Sequence, residues 1–200
     1  MTIVEDRPAA RFEAARRAMI DSQLRTSGVN AEWVLRRMDA VAREDFVPAS
    51  ARGFAYIDRA VALGDARFLA APVFHGTMLQ EARPSPQDRA LVVDGGSGYL
   101  AELVRPLVGA LEVVSPADAA AGRKDGDFTL LLVDGAAEVL PAQLIKRLAE
   151  GARVVTGWVR DGVTCLAYGR KAAGEVALLP LGEMGVPVLA ELAAPKGWSF

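Results

Sequence analysis

Ala90-Leu91-Val92-Val93-Asp94-Gly95-Gly96-Ser97-Gly98-Tyr99 is the stretch that decides the fold. Its first four residues are a short apolar run, as expected of a strand covered on both faces. Three glycines within four positions then form a turn, and a helix is expected from Tyr99 to about Val108. Glycine in such a turn lets the backbone come close to a ligand beside the positive end of the following helix. Taken alone, the stretch is equally compatible with a ligand seat and with a tight strand-to-helix connection.

Downstream, the alternation continues. Leu111 to Val114 reads as a second strand, and Ala117 to Gly122 as one short helix. Arg123-Lys124-Asp125-Gly126-Asp127 reads as a solvated turn, and Phe128 to Val133 as a third, strongly apolar strand. Glu138 to Glu150 is expected to be helical, with Val139, Leu140, Leu144, Ile145 and Leu148 inward and Gly151 as the stop. Ala152 to Thr156 is a fourth strand. Val163 to Tyr168 and Val176 to Leu181 close the chain as an antiparallel pair around a turn at Lys171 to Gly174. Strands alternating with helices imply an α/β fold with a mostly parallel sheet.

Upstream, Asp6 to Pro8 reads as a polar lead-in. A helix follows with Phe12, Ala15, Met19, Ile20, Gln23 and Leu24 on its stripe, stopped at Ser27-Gly28. Asn30 is the expected N-cap of a second helix that buries Val34, Leu35, Met38, Val41 and Ala42. Glu44 to Ala71 reads as irregular chain, and Pro72 to Ala82 as a helix with proline in its first turn. Residues 1–86 therefore form a helical and loop region packed on an α/β core of residues 87–200, one structural domain overall.

Composition narrows the function. The chain has 200 residues, 52% hydrophobic and 24% charged, with a net charge of -2, so it carries no global basic field for nucleic acid or anionic lipid. Between Arg7 and Arg43 there are eight arginines against four acids, which read as solvated helix faces rather than a nucleic-acid surface. One cysteine, Cys165, and one histidine, His75, exclude an internal disulfide, a cysteine zinc cluster and a multi-histidine metal site within one chain. No apolar run is long enough to span a bilayer, and Met1 to Pro8 lacks the apolar core of a secretory signal, so a cytoplasmic location is expected. Cys165 and the tryptophans Trp33, Trp158 and Trp198 read as packing residues. His75 reads as a packing or surface residue.

The chain resembles the protein-L-isoaspartate O-methyltransferase family over nearly its whole length. The resemblance is carried by Met19-Ile20-Asp21-Ser22-Gln23-Leu24-Arg25, by Val34-Leu35 with Met38 and Val41, and by Arg43-Glu44-Asp45-Phe46-Val47-Pro48. Ala55-Tyr56-Ile57-Asp58, Gly96-Ser97-Gly98-Tyr99 and Phe128 to Ala137 extend it, as do Leu144, Leu148, Gly151 and Val154. It implies a Rossmann-like methyltransferase fold. It also implies S-adenosylmethionine as cofactor and the isoaspartyl carboxylates of damaged proteins as substrate. The cofactor-binding residues it points to are Asp94, Gly95, Gly96, Ser97, Gly98, Tyr99, Ser115 and Asp134.

The sequence departs from the family at four places, each facing a ligand. Where the family carries a Gly-His-Gly-Gln-Thr-Ile-Ser-Gln-Pro type segment, this chain has Gly64-Asp65-Ala66-Arg67-Phe68-Leu69-Ala70-Ala71-Pro72. Phe68 and Ala70 replace hydroxyls and cannot donate a hydrogen bond. Asp65 and Arg67 are the remaining substrate-segment candidates. Arg67 offers a bidentate grip on a carboxylate; a surface arginine, or one paired with Asp65, is the plainer reading. In the nucleotide motif the usual acid is Val92 and the first glycine position is Asp94. The second strand ends Val113-Val114-Ser115-Pro116, with no acid for the ribose hydroxyls, and Glu112 points to the other face. Only twelve residues, Pro116 to Asp127, precede the next strand, whereas two crossovers with a strand between them need about 30 residues each. An edge strand of the family sheet is therefore expected to be missing, which opens the edge at Leu111 to Val114 to a second copy or a partner. Asp134 reads as a turn or helix-start aspartate. These departures set a second reading beside the enzyme: a non-catalytic member acting as a binding or regulatory module.

Overall fold

The computed structural model describes residues 7–121 and 126–194. Eight strands and six α-helices are seen among them. Helix α1 (Arg7–Met19) runs through a wider turn at Ile20–Leu24 and stops at Gly28, whose φ of +87° is the left-handed stop expected there. Helix α2 (Glu32–Ala40) buries Val34, Leu35 and Met38. Its N-cap is Ala31 rather than Asn30. The Asn30 and Ala31 N–H groups both donate to Gln80 Oε1, at 3.1 and 3.2 Å, so a distant side chain does the work expected of a local cap. Strands β1 (Val61–Gly64) and β2 (Arg67–Leu69) make a small hairpin, and α3 (Pro72–Ala82) follows with proline in its first turn.

The main sheet has strands β3 (Arg89–Val93), β4 (Ala110–Val114), β5 (Phe128–Ala137), β6 (Leu148–Arg160), β7 (Val163–Ala172) and β8 (Glu175–Glu183). Their order is β4-β3-β5-β6-β7-β8. Strands β3 to β6 pair in parallel, and β6, β7 and β8 pair antiparallel. Helices α4 (Tyr99–Val104), α5 (Pro116–Ala121) and α6 (Ala142–Lys146) lie on the connections. Alternating side chains divide the interior. Ala90, Val92, Leu130, Leu132 and Val155 join one apolar cluster with α1, α2, α3 and α4. Leu91, Val93, Leu131, Val133 and Val154 join a second with Ala119, Leu144, Leu189 and Leu192. Both faces of β3 and β5 are thus buried, which is why their sequences are unbroken apolar runs.

The expected helix over Glu138 to Glu150 is corrected. Only Ala142–Lys146 is helical. The Glu138 and Val139 N–H groups donate to Leu192 O, and Leu148 pairs with Phe128 at the start of β6. Val139, expected inward, is exposed. The apolar spacing imitates a helix, but partners from elsewhere in the chain claim both ends of the segment. The helix expected from Tyr99 to Val108 ends early, at Val104, and continues as a short tighter turn over Arg105–Leu107. Arg7 and Pro8 lie within α1 and not in a lead-in, while Asp6, Gly122 to Asp125 and Trp198 lie outside the described residues.

No strand stands between β4 and β5 in the described chain, and β4 pairs only with β3. Strand β4 is an edge, with Val113 exposed. None of the described helices is long and apolar enough to cross a membrane.

Candidate functional site

The order β4-β3-β5 places a topological switch point at the carboxyl end of β3. The chain leaves β3 for a neighbour on one side, then crosses to the other. In open α/β sheets ligands bind in the crevice outside such a point. Residues 94–98 stand there, between the end of β3 and the start of α4.

Backbone geometry fixes this turn from below. A Cβ on Gly95 would stand 2.2 Å from Asp134 O, so only glycine fits against the adjacent strand. Gly98, with φ of +74°, is the N-cap of α4. The Asp94 N–H donates to Val114 O at 2.9 Å, tying the turn to the end of β4. The Asp94 Oδ1 accepts the Gly98 N–H at 2.9 Å, and Ser97 Oγ accepts the Tyr99 N–H at 3.1 Å. Burial pushes the Asp94 carboxyl above the usual range; the Gly98 N–H opposes this and the nearby Asp134 charge adds to it.

Beneath the turn lies a buried polar chain. Asp134, His75 and Arg43 are all inaccessible or nearly so. Arg43 Nη1 stands 3.2 Å from His75 Nδ1, and His75 Nε2 stands 2.8 Å from Asp134 Oδ1. A guanidinium can only donate and a carboxylate accepts. Together these partners select the tautomer with hydrogen on Nε2. Arg43 also donates from Nε to Ala55 O at 2.7 Å and from Nη2 to Ala70 O, and its guanidinium lies 4.9 Å from the centre of the Tyr99 ring. Asp134 Oδ2 is 3.5 Å from Ser97 Oγ, which brings the buried chain to the turn itself.

Two expectations are corrected here. Asp134 is not a turn or helix-start residue: it sits within β5, paired with the histidine. His75 is neither a surface residue nor plain packing. The signal for the pair was two lone ionisable residues in apolar surroundings, His75 and Asp134, each needing a buried partner; Arg43, beside Glu44 and Asp45, carried none.

Above the turn, the β1–β2 hairpin folds over it. The Phe68 N–H donates to Gly95 O at 3.4 Å. A Cβ on Gly96 would stand 2.7 Å from Arg67 Cβ, so the Arg67 side chain lies directly on the turn. Its guanidinium does not pair with Asp65, which is exposed in the hairpin turn with φ of +47°. It pairs with Glu191: Nη2 with Oε1, and Nη1 with Oε2 at 3.2 Å. The Glu191 carboxyl is held below the usual glutamate range by that hydrogen bond.

The adenosine side is sparse. Ser115, at the end of β4, is exposed and caps α5, donating from Oγ to Asp118 Oδ2 at 2.7 Å while accepting the Asp118 N–H at 3.1 Å. Glu112 is turned away and pairs with Arg147 at 2.8 Å. A cavity of about 670 Å³ lies elsewhere, between α1 and residues 49–57, lined by Phe12, Met19 and Ile57 among others. The described residues contain no cluster of three or more potential metal ligands.

The site therefore unites Asp94 to Tyr99, Asp134 and Arg67, leaves Ser115 at its margin, and excludes Asp65. Comparison with known proteins bears on the family and the fold. Residues 14–117 match the family model described as protein-L-isoaspartate(D-aspartate) O-methyltransferase. A protein-L-isoaspartate O-methyltransferase of Roseiflexus sp. (strain RS-1) is 31% identical over 169 residues, 72% of this chain and 77% of the relative. A second, of Marinobacter nauticus, is 31% identical over 210 residues, 86% and 95% of the two chains. The Plasmodium falciparum protein crystallised with S-adenosyl-L-homocysteine shares the fold, with a TM-score of 0.69 at 19% identity, over 90% of this chain and 98% of that one. The chain belongs to the protein-L-isoaspartate O-methyltransferase family.

Proposed function

We propose that the chain catalyses S-adenosylmethionine-dependent methyl transfer to a carboxylate of a protein substrate, the isoaspartyl carboxylate of damaged proteins. The observation that carries this reading is the placement of Asp94 to Tyr99 and Asp134 at the switch point. The residues present fit the methionyl end of the cofactor. Asp94, partly buried within the turn, is the carboxylate available to the ammonium or sulfonium of such a ligand, while Asp134, inaccessible and bonded to His75, supports the turn from beneath. They do not supply a carboxylate for the ribose.

When bound, S-adenosylmethionine supplies an electrophilic methyl group on a good leaving group. The chain's own task is then positioning. A carboxylate of pKa about 4 is already ionised at neutral pH and needs no general base. Arg67, lying on Gly96, is the donor available to orient it in a bidentate grip. Asp134, fixed by His75 and Arg43, holds the floor of the turn. The Phe68 and Ala70 side chains offer no hydrogen bond, and buried Ala70 serves through its carbonyl, which accepts from Arg43.

The test is a calorimetric titration with S-adenosylmethionine and S-adenosylhomocysteine. Micromolar binding supports the reading; no heat and no thermal shift with either ligand overturns it. A second reading, a non-catalytic binding or regulatory member, is favoured by one observation: the Gly98 N–H is already taken by Asp94. Under either reading, the outer edge of β4 is the surface on which a second copy would add. A monodisperse monomer by light scattering at high concentration would count against that pairing.

A further inference from the structure

The Arg67–Glu191 pair joins two segments anchored independently of it. Arg67 is fixed by the β1–β2 hairpin and by its contact with Gly96. Glu191 belongs to a C-terminal segment tied to β5. The Ala136 N–H donates to Pro187 O at 2.8 Å, the Leu189 N–H to Ala136 O at 2.9 Å, and the Glu138 N–H to Leu192 O at 2.9 Å. Leu189 and Leu192 are buried against the sheet. The segment therefore stays in place whether or not Glu191 reaches Arg67. What the pair adds is a carboxylate, delivered at high effective concentration to the guanidinium above the turn.

We propose that Glu191 is an internal occupant of a carboxylate-binding site at Arg67, and that the carboxylate of a substrate peptide takes its place. This rests on the methyltransferase reading for the identity of the peptide, but not for the site itself. Three features support exchange. The side chains of Arg67 and Glu191 are 30% and 26% exposed, so the pair opens to water without unfolding anything. The two N–H···O contacts to Glu191 have the fork geometry a guanidinium offers any carboxylate. Displacement needs only side-chain rotation, since the backbone of 187–192 is held elsewhere. Glu191 thus competes with substrate and sets a threshold on its binding.

The experiment is calorimetric titration of an L-isoaspartyl peptide into the wild-type chain, E191Q, E191D and R67M, in the presence and absence of S-adenosylhomocysteine. E191Q should bind the peptide about fivefold more tightly, as expected for loss of one partly exposed ion pair. E191D should lie near wild type, and R67M should lose most of the affinity, all with thermal midpoints close to wild type. Unchanged or weaker binding in E191Q overturns the proposal, as does full binding in R67M or no peptide binding by any variant. The outcome separates from that of the functional reading. Peptide binding that follows this order without any S-adenosylhomocysteine binding leaves the site standing and the methyltransferase reading fallen. Cofactor binding with peptide affinity indifferent to Glu191 does the reverse.

Discussion

The two sides of the turn at 94–98 are built on opposite principles. Below it, Arg43, His75 and Asp134 form a chain with no access to water, each charge met by a defined partner. Above it, Arg67 and Glu191 meet in a partly exposed pair between two separately anchored segments. The lower chain is costly to break, because a buried charge that loses its partner is strongly penalised. The upper pair is exchangeable, because water replaces either partner at little cost.

The largest expected effects come from breaking the floor. D134A strands His75 and Arg43 in an apolar interior and should cost about 3–5 kcal/mol in urea denaturation. If it costs no more than E191Q, the two sides are not different in kind. G95A drives a methyl group into Asp134 O and should cost about 3 kcal/mol. G98A asks alanine to adopt a positive φ with open space around it, and should cost about 1 kcal/mol. The ratio between these two glycine variants separates a steric approach from a conformational one.

Asp94, within the turn itself, gives it a dependence on pH. Its folded-state pKa is raised, chiefly by burial, so stability is full below the unfolded aspartate value and is lost as pH rises from there through the folded value. D94N keeps an oxygen for the Gly98 N–H and removes the charge. Its thermal midpoint should exceed that of wild type at neutral pH, with the gain shrinking as pH falls toward 4, the usual range of an aspartate. A midpoint below wild type at neutral pH would mean that the carboxylate, not the oxygen, holds the turn.

The smallest effect belongs above the turn: E191Q should change stability by less than about 1 kcal/mol. The Glu191 pKa is depressed by Arg67, so what stability the pair gives is present above the ordinary glutamate range and lost as pH falls through the folded value.

The strand-turn-helix at Ala90 to Tyr99, the shortened connection after β4 and the antiparallel closing strands were legible from local pattern. Each is set by residues near in sequence. The failures share a cause. The short helix at Ala142–Lys146, the cap at Ala31 and the pairing of His75 with Asp134 all depend on partners tens of residues away. For the site, the glycines announced the turn. Arg67 was readable as a donor, but its partner Glu191 lies far along the chain and carries no local signature.

The most direct measurement is methyl transfer from labelled S-adenosylmethionine to paired peptides that differ only in an isoaspartyl or an aspartyl residue. A base-labile methyl ester is expected on the isoaspartyl peptide and none on its aspartyl twin. Cofactor binding without ester on either peptide, or equal ester on both, would contradict that expectation.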